Sequence, residues 1–440
     1  MKKLFFLIIP MFLSFHLSAQ VWFSLETGVR PEDSDGIVTV NTLSVDTIND
    51  LLYVGGLFYY AGDSVSRNLA IWDGNKWLST EDDGEFAANE VTASIMMHDT
   101  LLLASGKGLK RYVNHHFIQD VPTVGDIVNA FCVYHDTLYA GEESGAGISK
   151  WNGQYWQAVG GGINGPIPGE VNALGIYQDQ LIIGGLFKSV GDSSFNNIAA
   201  WNGSSWDDLN GGTKYSKSQY DGNVFSIGLY NSNLVISGNF DTAGGVYCQM
   251  FAEWNGKNWA PMNDEEICGV AYDLKSKDSL LYAAGDMYKG TSCFVNREAT
   301  WDGNNWHDLN FTDGGIAFSQ AFFKHQLYVG GIIDFYSTDG EEIKGIGRLN
   351  YATNVNTVRK LIEVKINPNP STNYFNLNYN INQASLLYII DQYGRTIKTC
   401  TLSPASKDLK IDVHDLAQGL YLITLQNSNE RFSEKMVIQR

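Results

Sequence analysis

The sequence has few cysteines and prolines for its length, with 5 and 9 among 440 residues. The cysteines are Cys132, Cys248, Cys268, Cys293 and Cys400. They show no Cys-x-x-Cys or other metal-ligand spacing, which argues against a structural zinc site. Export would permit disulfides, and Cys248 could pair with Cys268. The odd number of cysteines and the absence of a disulfide framework in their spacing favour mostly buried thiols.

Long hydrophobic runs are also lacking. The apolar run at residues 4–13 is shorter than the ~20 residues that a membrane-spanning helix needs. Lys2 and Lys3 precede the run, and the small-residue segment Leu17-Ser18-Ala19 follows it. This order is typical of a cleaved signal peptide, so we predict one over residues 1–19. A membrane anchor is the alternative that the length of the run disfavours, and we expect no transmembrane segment in the mature chain.

Positive charge is scarce, and it is unevenly placed. Residues 20–360 contain 41 acidic and 20 basic residues, whereas residues 361–440 contain 7 and 8. The acidic body argues against nucleic acid or an anionic membrane as a partner, because both require a cationic surface. The change near residue 360 predicts a domain boundary, which we place between residues 20–355 and 356–440.

Tryptophan, by contrast, recurs in one pattern, Trp-Asp/Asn-Gly-x-x-Trp. The five copies span Trp72–Trp77, Trp151–Trp156, Trp201–Trp206, Trp254–Trp259 and Trp301–Trp306, a decayed copy spans Tyr112–Phe117, and the eleventh tryptophan is Trp22. Asp-Gly and Asn-Gly are strong hairpin turn signals, because both central positions of such a turn need positive φ. We therefore place the two aromatic residues on paired strands, c and d. Because they recur in every repeat, we expect most of the tryptophans to be buried in packing rather than to bind a ligand.

Two further apolar segments precede each hairpin and predict strands a and b. Segments such as 51–58 and 180–187 end in small residues, which indicates a strand that approaches a neighbouring backbone closely. The repeats are 39 to 53 residues apart, the size of a four-stranded propeller blade. We count seven repeats. Trp22 begins the mature chain on a strand d without partners and would complete the last repeat, closing the ring.

The repeat, GG-x-F followed by IAxWNGxxW, resembles a kelch-like family of bacterial propeller repeats over about residues 20–352. The resemblance implies an all-β, seven-bladed propeller of four-stranded blades. It says almost nothing about function, because propellers have many functions.

A second resemblance concerns the C-terminal segment, where alternating strands and turns predict a small antiparallel sandwich. Its motifs are similar to those of the type A sorting domain of type IX secretion in Bacteroidota. The residues that carry this resemblance are Asn367, Pro368, Asn369, Pro370, Gly394, Gly419, Tyr421 and Lys435. The resemblance implies an Ig-like fold, a type IX secretion partner, and delivery to the outer-membrane surface or the medium. An accessory adhesion module is the alternative.

The long b–c and d–a connections are predicted to emerge on one face of the ring, where binding residues usually lie. The candidates there are Tyr59, Tyr60, Asp82, Asp83, Tyr215, Tyr220 and Tyr336. The aromatic residues could stack on sugar rings or contact a protein, and the carboxylates could bind calcium, although ordinary solvated loops would look the same. We expect no other cofactor or metal.

Catalytic signatures are lacking: no histidine cluster has ligand spacing, and no Gly-x-Ser-x-Gly elbow occurs. We therefore expect a non-catalytic surface binding or adhesion protein. The alternative is a secreted polysaccharide-active enzyme, a hydrolase or lyase, on the same scaffold. An axis-facing cluster of polar and charged residues would favour that alternative.

Overall fold

The protein is described by a computed structural model, and the elements of its described residues are all β-strands. The described residues are 20–33, 36–78, 80, 89–106, 108–113, 116–122, 125, 127–164, 169–216, 222–262, 267–289, 294–295, 298–309, 315–336, 342–351, 364–379, 385–391, 396–404, 406–426 and 431–439. The predicted signal peptide lies outside them. Within these ranges, no helix could carry the chain across a bilayer. The chain divides into two compact units, Met1–Thr353 and Asn354–Arg440.

The described part of the first unit contains seven antiparallel sheets with main strands a, b, c and d. Sheet 1 is Thr39–Asp46, Leu51–Leu57, Leu69–Trp72 and Trp77–Leu78, and sheet 2 is Val91–Met97, Thr100–Ser105, Gly108–Val113 and His116–Val121. Sheet 3 is Val128–Tyr134, Thr137–Glu142, Ile148–Trp151 and Trp156–Ala158, and sheet 4 is Glu170–Tyr177, Gln180–Leu186, Ile198–Trp201 and Trp206–Asp207. Sheet 5 is Asn223–Tyr230, Asn233–Asn239, Phe251–Trp254 and Trp259–Pro261.

The last two sheets depart slightly from this plan. Sheet 6 is Ile267–Lys277, Leu280–Lys289, Glu298–Trp301 and Trp306–Asp308, with Phe294–Val295 paired beside its strand b. Sheet 7 is Gly315–Phe323, Gln326–Tyr336, Glu342–Tyr351 and, as strand d, Gln20–Phe23 from the N-terminal part of the chain.

Strand a is the innermost strand of every sheet. Each strand a contacts the strand a of the next sheet, and that of sheet 7 contacts those of sheets 6 and 1. This closed cycle of radially placed antiparallel sheets is the arrangement of a β-propeller. The apolar core lies between neighbouring sheets, in a series of clusters that each combine residues of two adjacent sheets.

The ring closes through the N-terminal strand. Trp22 lies opposite Leu349 in the register of sheet 7, as the repeat count predicts. It packs with Leu327 and Tyr282, and its Nε1 donates a hydrogen bond to the Leu309 carbonyl at 3.0 Å. The closing sheet therefore combines the two ends of the unit, which leaves sheet 7 with the same outer strand as the others.

The tryptophan hairpin differs from the turn expected for it. In the first copy only Gly74 has positive φ, +98°, so it is the first central residue of a turn of the type II′ kind. Asp73 instead accepts hydrogen bonds from the amides of Asn75 and Lys76 at 2.7 and 2.9 Å. The motif needs Asp or Asn as a side-chain acceptor within the turn, and it needs glycine for the positive φ.

The long connections contain additional short strands. Three small sheets each join a d–a connection to a hairpin in the following b–c connection. They are Val29–Arg30 with Tyr60–Ala61 and Ser64–Val65, Ile163–Asn164 with Ser189–Val190 and Ser193–Ser194, and Thr213–Lys214 with Thr242–Ala243 and Val246–Tyr247. These connections are thus hydrogen-bonded to one another, which limits their freedom.

The second unit consists of two antiparallel sheets around one core. One sheet is Val364–Asn367, Tyr374–Tyr379 and Asp408–Asp412, and the other is Thr396–Leu402, Ser385–Asp391, Gly419–Gln426 and Arg431–Ile438. Phe375 and Leu377 of the first sheet are buried with Ile389, Ile423 and Met436 of the second. Exposed and buried residues alternate along Tyr374–Tyr379, as the sequence pattern predicts.

Candidate functional site

Tyr60 belongs to the first small sheet, and Tyr59 directly precedes it. Their ring centroids are 4.8 Å apart with the rings edge to face. The Arg67 guanidinium lies over the Tyr59 ring at 5.5 Å, and the Arg30 guanidinium lies over the Tyr60 ring at 5.3 Å. Both tyrosines are half-buried. The rings are thus already engaged by cations, which reduces the area that they offer to a ligand.

The other loop candidates are separate from this pair. Tyr336 is 67% exposed at the end of strand b of sheet 7, opposite Glu342. Tyr215 is half-buried, and the amide of the next residue, Ser216, donates to the Asp241 carboxylate at 2.9 Å. Asp82, Asp83 and Tyr220 lie outside the described residues, as does the calcium site that the two aspartates could form.

The repeated tryptophans are mostly structural. Eight are buried: Trp22, Trp72, Trp77, Trp201, Trp254, Trp259, Trp301 and Trp306. The strand d tryptophans other than Trp206 also donate from Nε1 to a backbone carbonyl that follows the preceding sheet, as from Trp77 to Leu25 at 2.9 Å and from Trp306 to Met262 at 3.1 Å. The Nε1 of Trp206 has no hydrogen-bond partner among the described residues. Trp151, Trp156 and Trp206 are half-buried.

A feature that the sequence did not indicate lies at the centre of the ring. Every strand a carries a bulge near its beginning, at the same level in all seven sheets of the described chain. The extra residues are Asn41, Thr92, Asn129, Asn172, Phe225, Tyr272 and Phe318. All seven are half-buried. A bulge redirects a side chain out of the normal alternation, and we call these seven residues the bulge ring.

Four consecutive members of the bulge ring are polar and hydrogen-bonded to neighbouring inner strands. Asn172 donates to Glu170 Oε1 at 3.1 Å and to Asn223 Oδ1 at 3.0 Å. Asn129 donates to Asn172 Oδ1 at 3.1 Å. On the opposite side of Thr92, Asn41 donates to Glu90 Oε1 at 2.7 Å. Two carboxylates, Glu90 and Glu170, therefore orient the amides on this side.

The other three members are aromatic. The ring centroids of Phe225 and Tyr272 are 5.4 Å apart, and those of Tyr272 and Phe318 are 5.5 Å apart. The rings are inclined by 49° and 61°, which is a favourable aromatic geometry. The centre of the ring thus has an aromatic side and an amide side at one level. Such a surface can pack against an apolar face of a ligand and hydrogen-bond to its polar edge.

In the second unit, the motif around the two prolines lies against the last strand. Asn369 Oδ1 accepts a hydrogen bond from the Val437 amide at 3.0 Å, and the Ser371 amide donates to the Val437 carbonyl at 2.8 Å. The hydroxyl of Tyr421 donates to the Ala417 carbonyl at 3.0 Å, within its own motif. Lys435 lies in the last strand opposite Leu422, whereas Gly394 lies outside the described residues. Cys248 of the first unit is a free, buried thiol.

Comparison with protein families identifies the C-terminal segment. Residues 365–439 match the family described as Secretion system C-terminal sorting domain. This match confirms the type IX sorting domain that the motifs predicted, and it implies that the protein is exported. No curated protein sequence matches the chain.

Several solved structures share similarity with the chain at low identity. The extracellular domain described as belonging to a hybrid two-component system, BT3049 from B. thetaiotaomicron, is 11% identical with a TM-score of 0.45; the match covers 96% of this chain and 57% of that domain. The Neurospora crassa Pan2 WD40 domain is 7% identical with a TM-score of 0.47, covering 76% of this chain and 95% of that one. BamB from Moraxella catarrhalis is 9% identical with a TM-score of 0.39, covering 75% and 97%.

Proposed function

We propose that this protein is an exported, non-catalytic binding protein that holds an extracellular ligand at the centre of a seven-bladed β-propeller. In this proposal, residues 1–19 are a signal peptide, residues 20–355 form seven four-stranded kelch-like blades, and residues 356–440 form an Ig-like sorting domain. The sorting domain would engage the type IX machinery of a member of the Bacteroidota. The mature protein would then reach the outer-membrane surface or the medium.

The division of the bulge ring into an amide side and an aromatic side carries the binding proposal. Packing alone does not require such a division, because the same backbone position in every strand a faces the same environment. Asn129 and Asn172 share one hydrogen-bonded chain, and Tyr272 lies between two phenyl rings. A sugar or a short peptide has both an apolar face and polar groups, so it would suit this pair of surfaces.

A glycan and peptide array screen of the mature, full-length protein would test the proposal. Tyr272→Ala and Asn172→Ala should each weaken binding of any captured ligand by at least tenfold. Tyr336→Ala is the matched control, because Tyr336 is an exposed aromatic residue at the end of strand b of sheet 7 rather than a member of the bulge ring. Loss of binding in Tyr336→Ala or Tyr59→Ala, with the ring variants unaffected, would move the site to the loops. Normal binding by all four variants would contradict both locations.

The second candidate function is that of a polysaccharide-active enzyme, and two carboxylates beside the bulge ring favour it. Glu90 and Glu170 both lie at the amide side of the bulge ring, and acid–base hydrolysis of glycosidic bonds uses a pair of carboxyl groups. Release of reducing ends from a bound polysaccharide, abolished in Glu170→Gln with binding retained, would establish the enzyme. Binding without turnover over prolonged incubation would support the non-catalytic proposal.

A further inference from the structure

A cleft separates sheet 2 from sheet 3 at the end of the propeller that carries the short a–b and c–d turns. Its volume is about 650 Å³. Met97 and Leu102 of sheet 2 line one side, and Trp151 and Trp156 of sheet 3 line the other, with Arg111 between them. This cleft lies between two sheets, whereas the bulge ring lies on the innermost strands. It is therefore a separate place on the molecule.

The cleft exists because sheet 2 lacks an aromatic residue that the other six sheets have. Two positions of each sheet, the last residue of strand a and the third residue of strand b, lie next to the strand c residue of the following sheet. In sheet 2 these positions are Met97 and Leu102. In the other described sheets at least one of them is aromatic and buried: Tyr53, Tyr134 with Tyr139, Tyr177, Tyr230, Tyr282, and Phe323 with Tyr328.

The missing cover exposes one particular tryptophan. Trp201 packs against Tyr134 and Tyr139, and Trp254 packs against Tyr177, so both are nearly buried. Trp151 occupies the same position in sheet 3 but is only half-buried. The core cluster between sheets 2 and 3 is built largely from alanines and small aliphatic residues. The Trp151 side chain therefore lines the cleft.

The geometry of the two indoles is fixed by the protein. Trp156 donates from Nε1 to the Pro122 carbonyl at 3.0 Å. The ring centroids of Trp151 and Trp156 are 5.5 Å apart, inclined by 57°. Because Trp156 is held by this hydrogen bond and Trp151 is held by its strand, a ligand would find a preformed aromatic platform.

Arg111 provides the second observation that points to a ligand. It lies on strand c of sheet 2, opposite Leu102. Its Nε is buried and has no hydrogen-bond partner among the described residues. The side chain is nevertheless among the residues that line the cleft, and a guanidinium binds a carboxylate through two parallel hydrogen bonds. The side chain is thus placed to receive an anionic planar group within the cleft.

We propose that this cleft binds an acidic saccharide, with a sugar ring against Trp151 and its carboxylate at Arg111. A pyranose presents an apolar face of C–H groups that suits an indole surface, and its hydroxyls need polar partners. His98, Asp99 and Gln154 supply such partners at the rim of the cleft. A purely apolar ligand would leave these groups and the arginine without partners. A uronic-acid oligosaccharide uses the platform, the arginine and the rim together.

Calorimetric titration of the mature, full-length protein tests the proposal. The probes are trisaccharides of galacturonate and of mannuronate and a glucuronate-containing trisaccharide, with maltotriose and cellotriose as neutral controls. We expect at least one uronate to bind and both neutral sugars to bind at least tenfold more weakly. Trp151→Ala should weaken uronate binding at least tenfold, and Arg111→Gln should abolish the preference for the acid. Failure of every uronate to bind would overturn the proposal.

The variant Leu102→Tyr tests whether the cleft is a ligand site or only a defect in packing between sheets 2 and 3. This change gives sheet 2 the tyrosine that sheets 1, 3, 6 and 7 have at the same position, so it should cover Trp151. We expect it to abolish uronate binding while the melting temperature stays unchanged or rises. Uronate binding that survives both Leu102→Tyr and Trp151→Ala would overturn the proposal. The test depends on Trp151, Arg111 and Leu102 of the cleft and on no member of the bulge ring, so failure of the bulge-ring site would not affect it.

Discussion

Trp72 donates from its indole Nε1 to the hydroxyl of Tyr328 at 3.3 Å, although 256 residues separate them in the sequence. The two side chains lie on sheets 1 and 7, next to the place where the N-terminal strand closes the ring. Phe323 and Ile346 belong to the same buried cluster. Sheets 1 and 7 thus pack against each other through buried aromatic and aliphatic side chains, as sheets that are consecutive in the sequence do.

Removal of the closing strand should therefore damage the whole ring. Deletion of residues 20–30 would expose the outer edge of sheet 7, where Leu349 pairs with Trp22. We expect a lower melting temperature and concentration-dependent aggregation, because an exposed strand edge invites pairing with other chains. Light scattering during thermal unfolding measures both. A deletion variant that stays monomeric and melts like the intact protein would show that the strand is dispensable.

The position of Trp201 predicts a large stability effect. Trp201→Ala should lower the free energy of unfolding by ~3–5 kcal/mol, because it removes a large buried side chain between two sheets. Trp151→Ala, at the same position of the preceding sheet, should cost much less because its indole borders an open cleft. Tyr59→Ala should also have little effect. Denaturant unfolding of the three variants gives the comparison, and equal losses for Trp201 and Trp151 would contradict it.

Glu298 predicts a dependence of stability on pH. Its carboxyl group is fully buried in sheet 6, and neither oxygen has a hydrogen-bond partner among the described residues. Burial, reinforced by the nearby Asp273, raises the pKa of Glu298 well above its ordinary value of 4.5. The folded protein therefore holds this proton more tightly than the unfolded chain. The associated stability is complete below about pH 4.5 and is lost as pH rises through the folded pKa.

Replacement of Glu298 should consequently stabilise the protein at neutral pH. Glu298→Leu introduces an aliphatic side chain of the kind found at the equivalent Leu69, Ile148 and Ile198. We expect a higher melting temperature at pH 7.5 and a smaller decline between pH 5 and 8. Glu298→Gln is the control, since it removes the titration but keeps a buried polar group. Identical pH profiles for the wild type and both variants would exclude Glu298 as the source.

The sequence was informative where the repeats agree and uninformative where they differ. Recurring tryptophans predicted the strands, and the unpaired Trp22 predicted the closing strand, because packing between sheets is the same problem in each repeat. The sequence did not predict the bulge ring, because its position is an asparagine in some repeats and a phenylalanine in others, so the repeats share no motif there. Leu102 likewise reads as an ordinary core residue. The lack of an aromatic side chain at this position leaves Trp151 of the next sheet partly exposed, and this contact is visible only in the three-dimensional structure.

The final prediction concerns export. The first unit ends at Thr353, and the sorting-domain match begins at residue 365, so each has its own core. Deletion from residue 361 onward should therefore leave a propeller that folds and melts cooperatively but stays in the periplasm. Fractionation of cells that express the truncated and intact proteins, followed by protease treatment of whole cells, measures the location. As a matched control, Tyr336→Ala in the intact chain should be displayed normally, because it alters the first unit alone. Surface display of the truncated protein would show that another part of the chain directs its secretion.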